Sequence, residues 1–417
     1  IADNATVSAT VTCENGDAGG VAALNSESGT ISAVQVNGCT VNSGSAYMAA
    51  VAAVNNGTIQ GVTVQSAALQ GDATVIGGIA GVNNATIGDG VCTVQNALTL
   101  EKLTAADITL GGAAGQNDAT INNVQVALNV TKKLAQYRTL GGVAGVNNGT
   151  LQNCTFTAGQ LGEDVKADAP AATGAAKVRD AIGGVAGVNN RDAKVENCTV
   201  QKIRINVLGI TNVESSQDVE TKLNNASHVG GIVGRNSGTI EKSFIGTDEN
   251  SAVIAKFGFV GGIAGSNAGE ISGCGGKGTA DAVSQIQTWL GTDEGVNTMI
   301  TQLKYSQDDD NESETDSLDT AFTALRGVDA VRAGDDYTTV YTDGLTKNQL
   351  TVALRGSATN STEEAAGYLG GVTGYNTDTG VLHETATGKW FVYCDNGNVD
   401  NAVIGGMIGQ NESDQDM

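Results

Sequence analysis

A phrase that returns ten times leaves this sequence few architectures to choose from. Its cleanest copy reads Leu140-Gly141-Gly142-Val143-Ala144-Gly145-Val146-Asn147-Asn148-Gly149-Thr150-Leu151-Gln152-Asn153-Cys154-Thr155-Phe156. Counted from the central asparagine, copies fall at Asn25, Asn55, Asn83, Asn117, Asn147, Asn189, Asn236, Asn267, Asn376 and Asn411. The spacings are 30, 28, 34, 30, 42, 47, 31, 109 and 35. A base period near 30 with excess in some intervals marks a solenoid with loop insertions. The repeat overrides the two or three domains that 417 residues would otherwise imply.

Aligned on themselves, the copies can be read column by column. The position two before the third small residue (Val21, Val51, Ile79, Ala113, Val143, Val185, Ile232, Ile263, Val372, Met407) is always apolar and is expected to face a core. The position before the asparagine includes Gln116 and Arg235 and is expected to face water. The two differ by three residues, the odd parity of a strand. A helix is excluded because interior glycines cost it roughly 1 kcal/mol each. On the strand parity the asparagine points inward, where amides of successive coils can bond one another and the turn backbone. The alternative is ten exposed turn asparagines. Asn-Asn-Gly-Thr suits a tight corner, since Asn and Gly tolerate the left-handed backbone region.

The residue before the glycine pair (Met48, Ile76, Leu110, Leu140, Ile182, Val229, Val260, Leu369, Ile404) is also apolar but of opposite parity, so the chain must bend at the glycines. Beyond the turn, a second inward column holds Val34, Val62, Val124, Cys154, Ser243 and Cys274, with Cys92 and Cys198 after small shifts. Three short strands joined by corners, returning every ~30 residues, describe one coil of a parallel β-helix. The expected fold class is therefore all-β, a solenoid of about 10–12 coils, on the order of 50 Å long at ~4.8 Å per coil.

The phrase resembles the GLUG repeat, named for its Gly-Leu/Ile-x-Gly character, across ten copies and most of the chain outside 277–368. The second copy departs from it, with Ala49-Ala50 in place of the glycine pair. The resemblance implies a right-handed β-helical segment of a large secreted bacterial surface protein. Such segments occur in adhesin-like proteins and in non-catalytic regions of some immunoglobulin-A-cleaving metallopeptidases. It supplies no catalytic residues to carry over.

The organisation expected is a β-solenoid over 1–276, an inserted and largely helical subdomain over 277–368, and a solenoid continuation over 369–417. Helical spacing of Val283, Ile286, Trp289 and Leu290 supports the insert, with two further amphipathic runs behind it. Excess length at 158–180, 206–227 and 276–368 follows the Cys/Val strand each time, so the inserts are expected on one side of the rod, as a candidate ligand face. Asn4-Ala5-Thr6-Val7 and Gly405 to Asn411 are partial copies, so the chain is expected to continue into a longer polypeptide at both ends. Seven cysteines track the repeat spacing, which favours buried free thiols over a disulfide framework.

A net charge of −23 excludes nucleic acid and anionic membrane as partners, because both require a basic face. No stretch of 18 apolar residues occurs, so no membrane insertion is expected. His228 and His383 are the only histidines, too few for a His-based metal site or a Ser-His-Asp triad. His383-Glu384-Thr385-Ala386-Thr387 lacks the second histidine of a zinc-peptidase helix and is expected to be a turn. Asp308, Asp310 and Glu312, with Asp309, Glu314 and Asp316, offer hard oxygen ligands for Ca²⁺ but lack the glycine and spacing of a Ca²⁺ loop; a solvated acidic linker is the expected reading. No cofactor is otherwise indicated. Tyr337, Tyr341, Trp390 and Tyr393 are the candidate binding aromatics.

Two functions from different classes fit. One is a non-enzymatic extracellular binding or spacer module on a bacterial cell surface, its partner a host or bacterial glycan or protein. The other is a carbohydrate-active β-helix enzyme, which would need paired carboxylates from adjacent coils in a groove. Few aromatics, 4% of the chain, disfavour the second. Ice binding would need an outward threonine column, and none is evident in the aligned copies.

Overall fold

The structure is a computed structural model of the chain, described here for residues 4–95, 98–131, 136–162, 180–207, 227–246, 251–276, 350–355, 366–383, 385, 390–395 and 401–413. The chain divides into two units, 1–276 with 348–417 and 277–347, and every described residue lies in the first. The helical character expected of the insert, Tyr337, Tyr341 and the acidic run from Asp308 to Asp316 lie outside the described residues.

Among the described residues the chain forms strands and turns and no α-helix. One coil shows its path. Tyr137–Gly141 lies in sheet 1, Ala144–Asn147 in sheet 2, Thr150–Gln152 in sheet 3, Thr155–Thr157 in sheet 4 and Gln160–Gly162 in sheet 5. Each strand pairs in parallel with its equivalent in the next coil: Leu140 with Ile182, Asn147 with Asn189, Leu151 with Val195, Phe156 with Val200, and Leu161 with Ile205. This in-register parallel stacking is that of a β-solenoid.

The coil thus has five walls where the sequence suggested three strands, and the two added corners turn on residues in the left-handed region. Between sheets 3 and 4, Asn123, Asn153, Asn197 and Lys242 take φ of 56, 54, 49 and 46°. Between sheets 4 and 5, Ala158 and Lys202 take φ of 50 and 52°. Ala and Lys do not favour the left-handed region, so the stacked neighbours hold them there. The bend at the glycine pair is steric: a Cβ on Gly141 would overlap the Ala144 carbonyl oxygen.

The apolar columns fill the interior. Residues of the column from Val51 to Val372, of the pre-glycine column from Met48 to Leu369, and of the Val/Cys column from Val34 to Cys274 are fully buried. Each of the first nine repeat asparagines donates from Nδ2 to Oδ1 of the next, at 2.7–2.9 Å through all nine steps. The same Nδ2 reaches the carbonyl of a residue in sheet 3 of the next coil, as Asn147 does with Lys194 O at 3.2 Å. The amides therefore close the corner between sheets 2 and 3.

The third glycine of the phrase has its own reason. A Cβ on Gly145 would sit 2.6 Å from Gly115 O and 3.0 Å from Leu110 O, so sheet 2 lies backbone-to-backbone against sheet 1 of the preceding coil. The expectation that the pre-asparagine column faces water holds for part of it: Leu24 is exposed, and Val54, Gln116, Val146, Arg235 and Gln410 are partly exposed. Val82, Val188, Ser266 and Tyr375 are buried, Tyr375 against Phe259 and Tyr368 in the seam between sheets 1 and 2.

Three further readings are revised. Leu350–Arg355 and the part of Ala366–Gly370 up to Tyr368, placed in the insert by sequence, belong to strands of sheets 5 and 1 that pair with Ala252–Ala255 and Phe257–Gly261. The three long excess segments do not share one corner: residues 163–179 and 208–226 join sheet 5 to sheet 1, whereas 277–349 join sheet 4 to sheet 5. All of them flank sheet 5. The expected turn does not begin at His383, which ends a sheet 3 strand, Val381–His383; Glu384, Ala386 and Thr387 lie outside the described residues.

Candidate functional site

Trp390 and Tyr393 share the last described strand of sheet 5, in register with Leu350 and Ala353. Trp390 packs against the core, its ring so close to Gly262 that a Cβ there would come within 2.6 Å. Its indole Nε1 is buried without an acceptor among the described residues. The ring is partly buried.

A different aromatic cluster lies in the seam between sheets 1 and 2. Phe259 stacks on Tyr368 and Tyr375 at centroid distances of 5.3 and 5.0 Å, with His228 edge-on at 5.2 Å. His228 Nδ1 lies 2.7 Å from Ser266 Oγ. All five side chains are buried, so the cluster replaces the aliphatic seam of earlier coils and holds two walls together.

Carboxylates from adjacent coils do meet, on the outer face of sheet 3. Glu196 and Glu241 are register partners, and Lys194 Nζ reaches both, at 3.1 and 2.9 Å. Lys242 Nζ adds a third contact, 2.7 Å from Glu241. Hydrogen bonds from Lys242 and then Lys194 hold the Glu241 carboxyl below its ordinary range. Lys242 and Lys194 neutralise this pair and hold Glu241 low, where a glycoside-hydrolase acid is raised. The same face carries Thr30, Thr58, Thr86, Thr120 and Thr150 as consecutive register partners, the outward threonine column that the aligned copies had not suggested.

The one wall that is interrupted is the fifth. Sheets 1 to 4 run as unbroken ladders through the described residues. Leu98–Thr99, by contrast, pairs back to Ala67–Ala68, and Asn129–Val130 pairs onward to Gln160–Leu161, with no ladder joining the two. The coils are in register on either side, at Val94 with Val126 and at Ile108 with Tyr137. More residues separate Val94 from Ile108 than Val126 from Tyr137. The longer arm follows the coil below, where Leu103 bridges Gly71, and the wall opens.

The opening holds a cavity of about 170 Å³. Leu98, Leu100, Val130 and Tyr137 line its apolar part. Thr99, Glu101, Asn129 and Thr131 form a polar rim, exposed except for the partly buried Thr131. Tyr137 is 2% exposed and its hydroxyl makes no hydrogen bond to the described residues. Burial raises its phenol above the ordinary range. The phenol lines the cavity, where water or a ligand can meet its hydroxyl. Beside the breach, Gln136 Oε1 and Gln160 Nε2 are buried without partners among the described residues.

Sequence reasoning missed this site. Its signal was the 34-residue spacing from Asn83 to Asn117, four more than the base period, and the excess is too short to read as an insertion.

No family model, curated protein or solved structure matches the chain.

Proposed function

We propose that this chain is a non-enzymatic binding and spacer module of an extracellular bacterial surface protein, adhesin-like, built as a right-handed β-helix of about 10–12 coils. The resemblance to the GLUG repeat supports that setting. The observation that carries the reading is the uneven distribution of regularity. Four walls are continuous ladders, while the breach and every long excess segment adjoin sheet 5. A spacer needs the first property and a ligand face needs the second. The 277–368 segment expected to be helical, with Tyr337 and Tyr341, is a further candidate binding region, and the partner would be a glycan or a protein on a host or bacterial surface.

The test is glycan-array and mucin or immunoglobulin capture by the full chain, beside assays for polysaccharide and protein cleavage. Capture without turnover is expected. Turnover of any such substrate overturns the reading in favour of a carbohydrate-active or proteolytic enzyme.

A further inference from the structure

We propose that the breach in the fifth wall binds a single neutral sugar ring, either free or at the end of a glycan. The inference deepens the binding-module reading and rests on it for its biological setting, though the site can be tested alone.

Size comes first. At ~30 Å³ per water, a cavity of about 170 Å³ holds about six waters, well below the ~300 Å³ at which drug-sized ligand sites begin. It accepts one ring and leaves the rest of a longer molecule outside. Chemistry comes second. Leu98, Leu100 and Val130 meet an apolar surface, while Thr99, Asn129 and Glu101 supply donors and acceptors at the mouth. A pyranose has that division, with C–H groups on its faces and hydroxyls around its edge. Tyr137 lines the cavity wall, and its hydroxyl both donates and accepts, as a sugar hydroxyl does.

Competing ligands fit less well. An acyl chain would leave the phenol hydroxyl unsatisfied and cover the polar rim. An anion would meet a chain of net charge −23. An added peptide strand would find two edges of two residues each, Leu98–Thr99 and Asn129–Val130, shorter than the ~5–6 residues of an ordinary strand.

The experiment is ligand-observed NMR and calorimetric titration of the full chain. The probes are free D-glucose, D-galactose, D-mannose, L-fucose, N-acetylglucosamine and N-acetylgalactosamine, and their methyl glycosides. Glucuronate and sialic acid serve as anionic controls. Saturable binding of at least one neutral probe is expected, with no binding of the acids; preference for methyl glycosides identifies a glycan end as the source. Tyr137→Phe keeps the ring and removes the hydroxyl, and should weaken binding about tenfold. Thr99→Trp, at an exposed rim position, should block the cavity and abolish binding while leaving the melting temperature unchanged. Failure of every neutral probe overturns the proposal, as does binding that both variants leave intact. If glycan-array binding survives both variants, the cavity assignment fails and the module reading stands. If sugar turnover is found with Tyr137-dependent binding, the module reading fails and the cavity stands.

Discussion

Asn267 donates its Nδ2 hydrogen to Oδ1 of Asn376 at 2.9 Å, although 109 residues of chain separate them. The contact is the same as the 2.8 Å step from Asn236 to Asn267, which spans 31. The ladder is therefore indifferent to what the chain does between coils. Equal stacking geometry at unequal sequence spacing is what allows long segments to leave the rod without loosening it, since lengthening a loop adds little closure entropy.

Because each amide serves two coils, one substitution should strand two neighbours. Asn147→Ala removes the acceptor of Asn117 and the donor to Asn189, both fully buried. A loss of roughly 2–4 kcal/mol in urea unfolding is expected. Asn147→Asp should lose a similar amount, since a carboxylate cannot donate. A loss under about 0.5 kcal/mol, the range of neutral surface changes, would show that the ladder is incidental.

The close approach of sheets 1 and 2 predicts a contrast between glycines. Gly145→Ala places a methyl 2.6 Å from Gly115 O and 2.7 Å from Thr109 Cγ2, against backbone that stacking holds fixed. It should cost about 1–3 kcal/mol. Gly406→Ala meets nothing within 4 Å and should be near neutral. Equal melting temperatures for the two variants would remove the steric account of the third glycine.

Thiol accessibility should follow the columns. Cys92, Cys154, Cys198 and Cys274 are buried, and burial pushes the Cys274 thiol up to about 12. Cys13 and Cys394 are partly buried. Native protein should react with an aromatic disulfide reagent at Cys13 and Cys394 first, and at the inward column only on unfolding. Mass spectrometry of the labelled sites decides this, and early labelling of Cys154 or Cys198 would contradict the packing described.

The charged patch on sheet 3 gives a pH dependence of defined sign. The Glu241 carboxyl is depressed in the folded state, chiefly by Lys242 and then Lys194. Its contribution to stability is therefore present above the ordinary carboxylate range and is lost as pH falls through the lower folded value. The melting-temperature advantage of the native chain over Glu241→Gln should shrink in that acid window, and should also shrink in high salt because the pairs are near the surface. An advantage that persists in acid would assign it to packing.

Much of the fold was legible because repetition supplies an internal alignment. Val143 and its equivalents are apolar in every copy and buried from Val51 to Val372, so alternation located the interior without any knowledge of the third dimension. The corners at Ala158 and Lys202 were not legible, because nothing in either side chain favours a positive φ. Nor was the burial of Tyr375, since the seam it fills exists only once sheet 2 has folded back on sheet 1. The breach beside Tyr137 escaped for a third reason: whether four surplus residues widen a loop or part a wall depends on which neighbouring coil captures them.

By itself, then, the order of residues settled the period, the strand character and the side of each column that meets the interior. These follow from alternation and from glycine and asparagine chemistry, which act over a few residues. Tertiary structure alone decided the number of walls, the aromatic seam at Phe259 and the opening between Thr99 and Asn129. Each of those depends on contact between coils at least 28 residues apart, where backbone hydrogen bonding and volume, and no local preference, select the outcome.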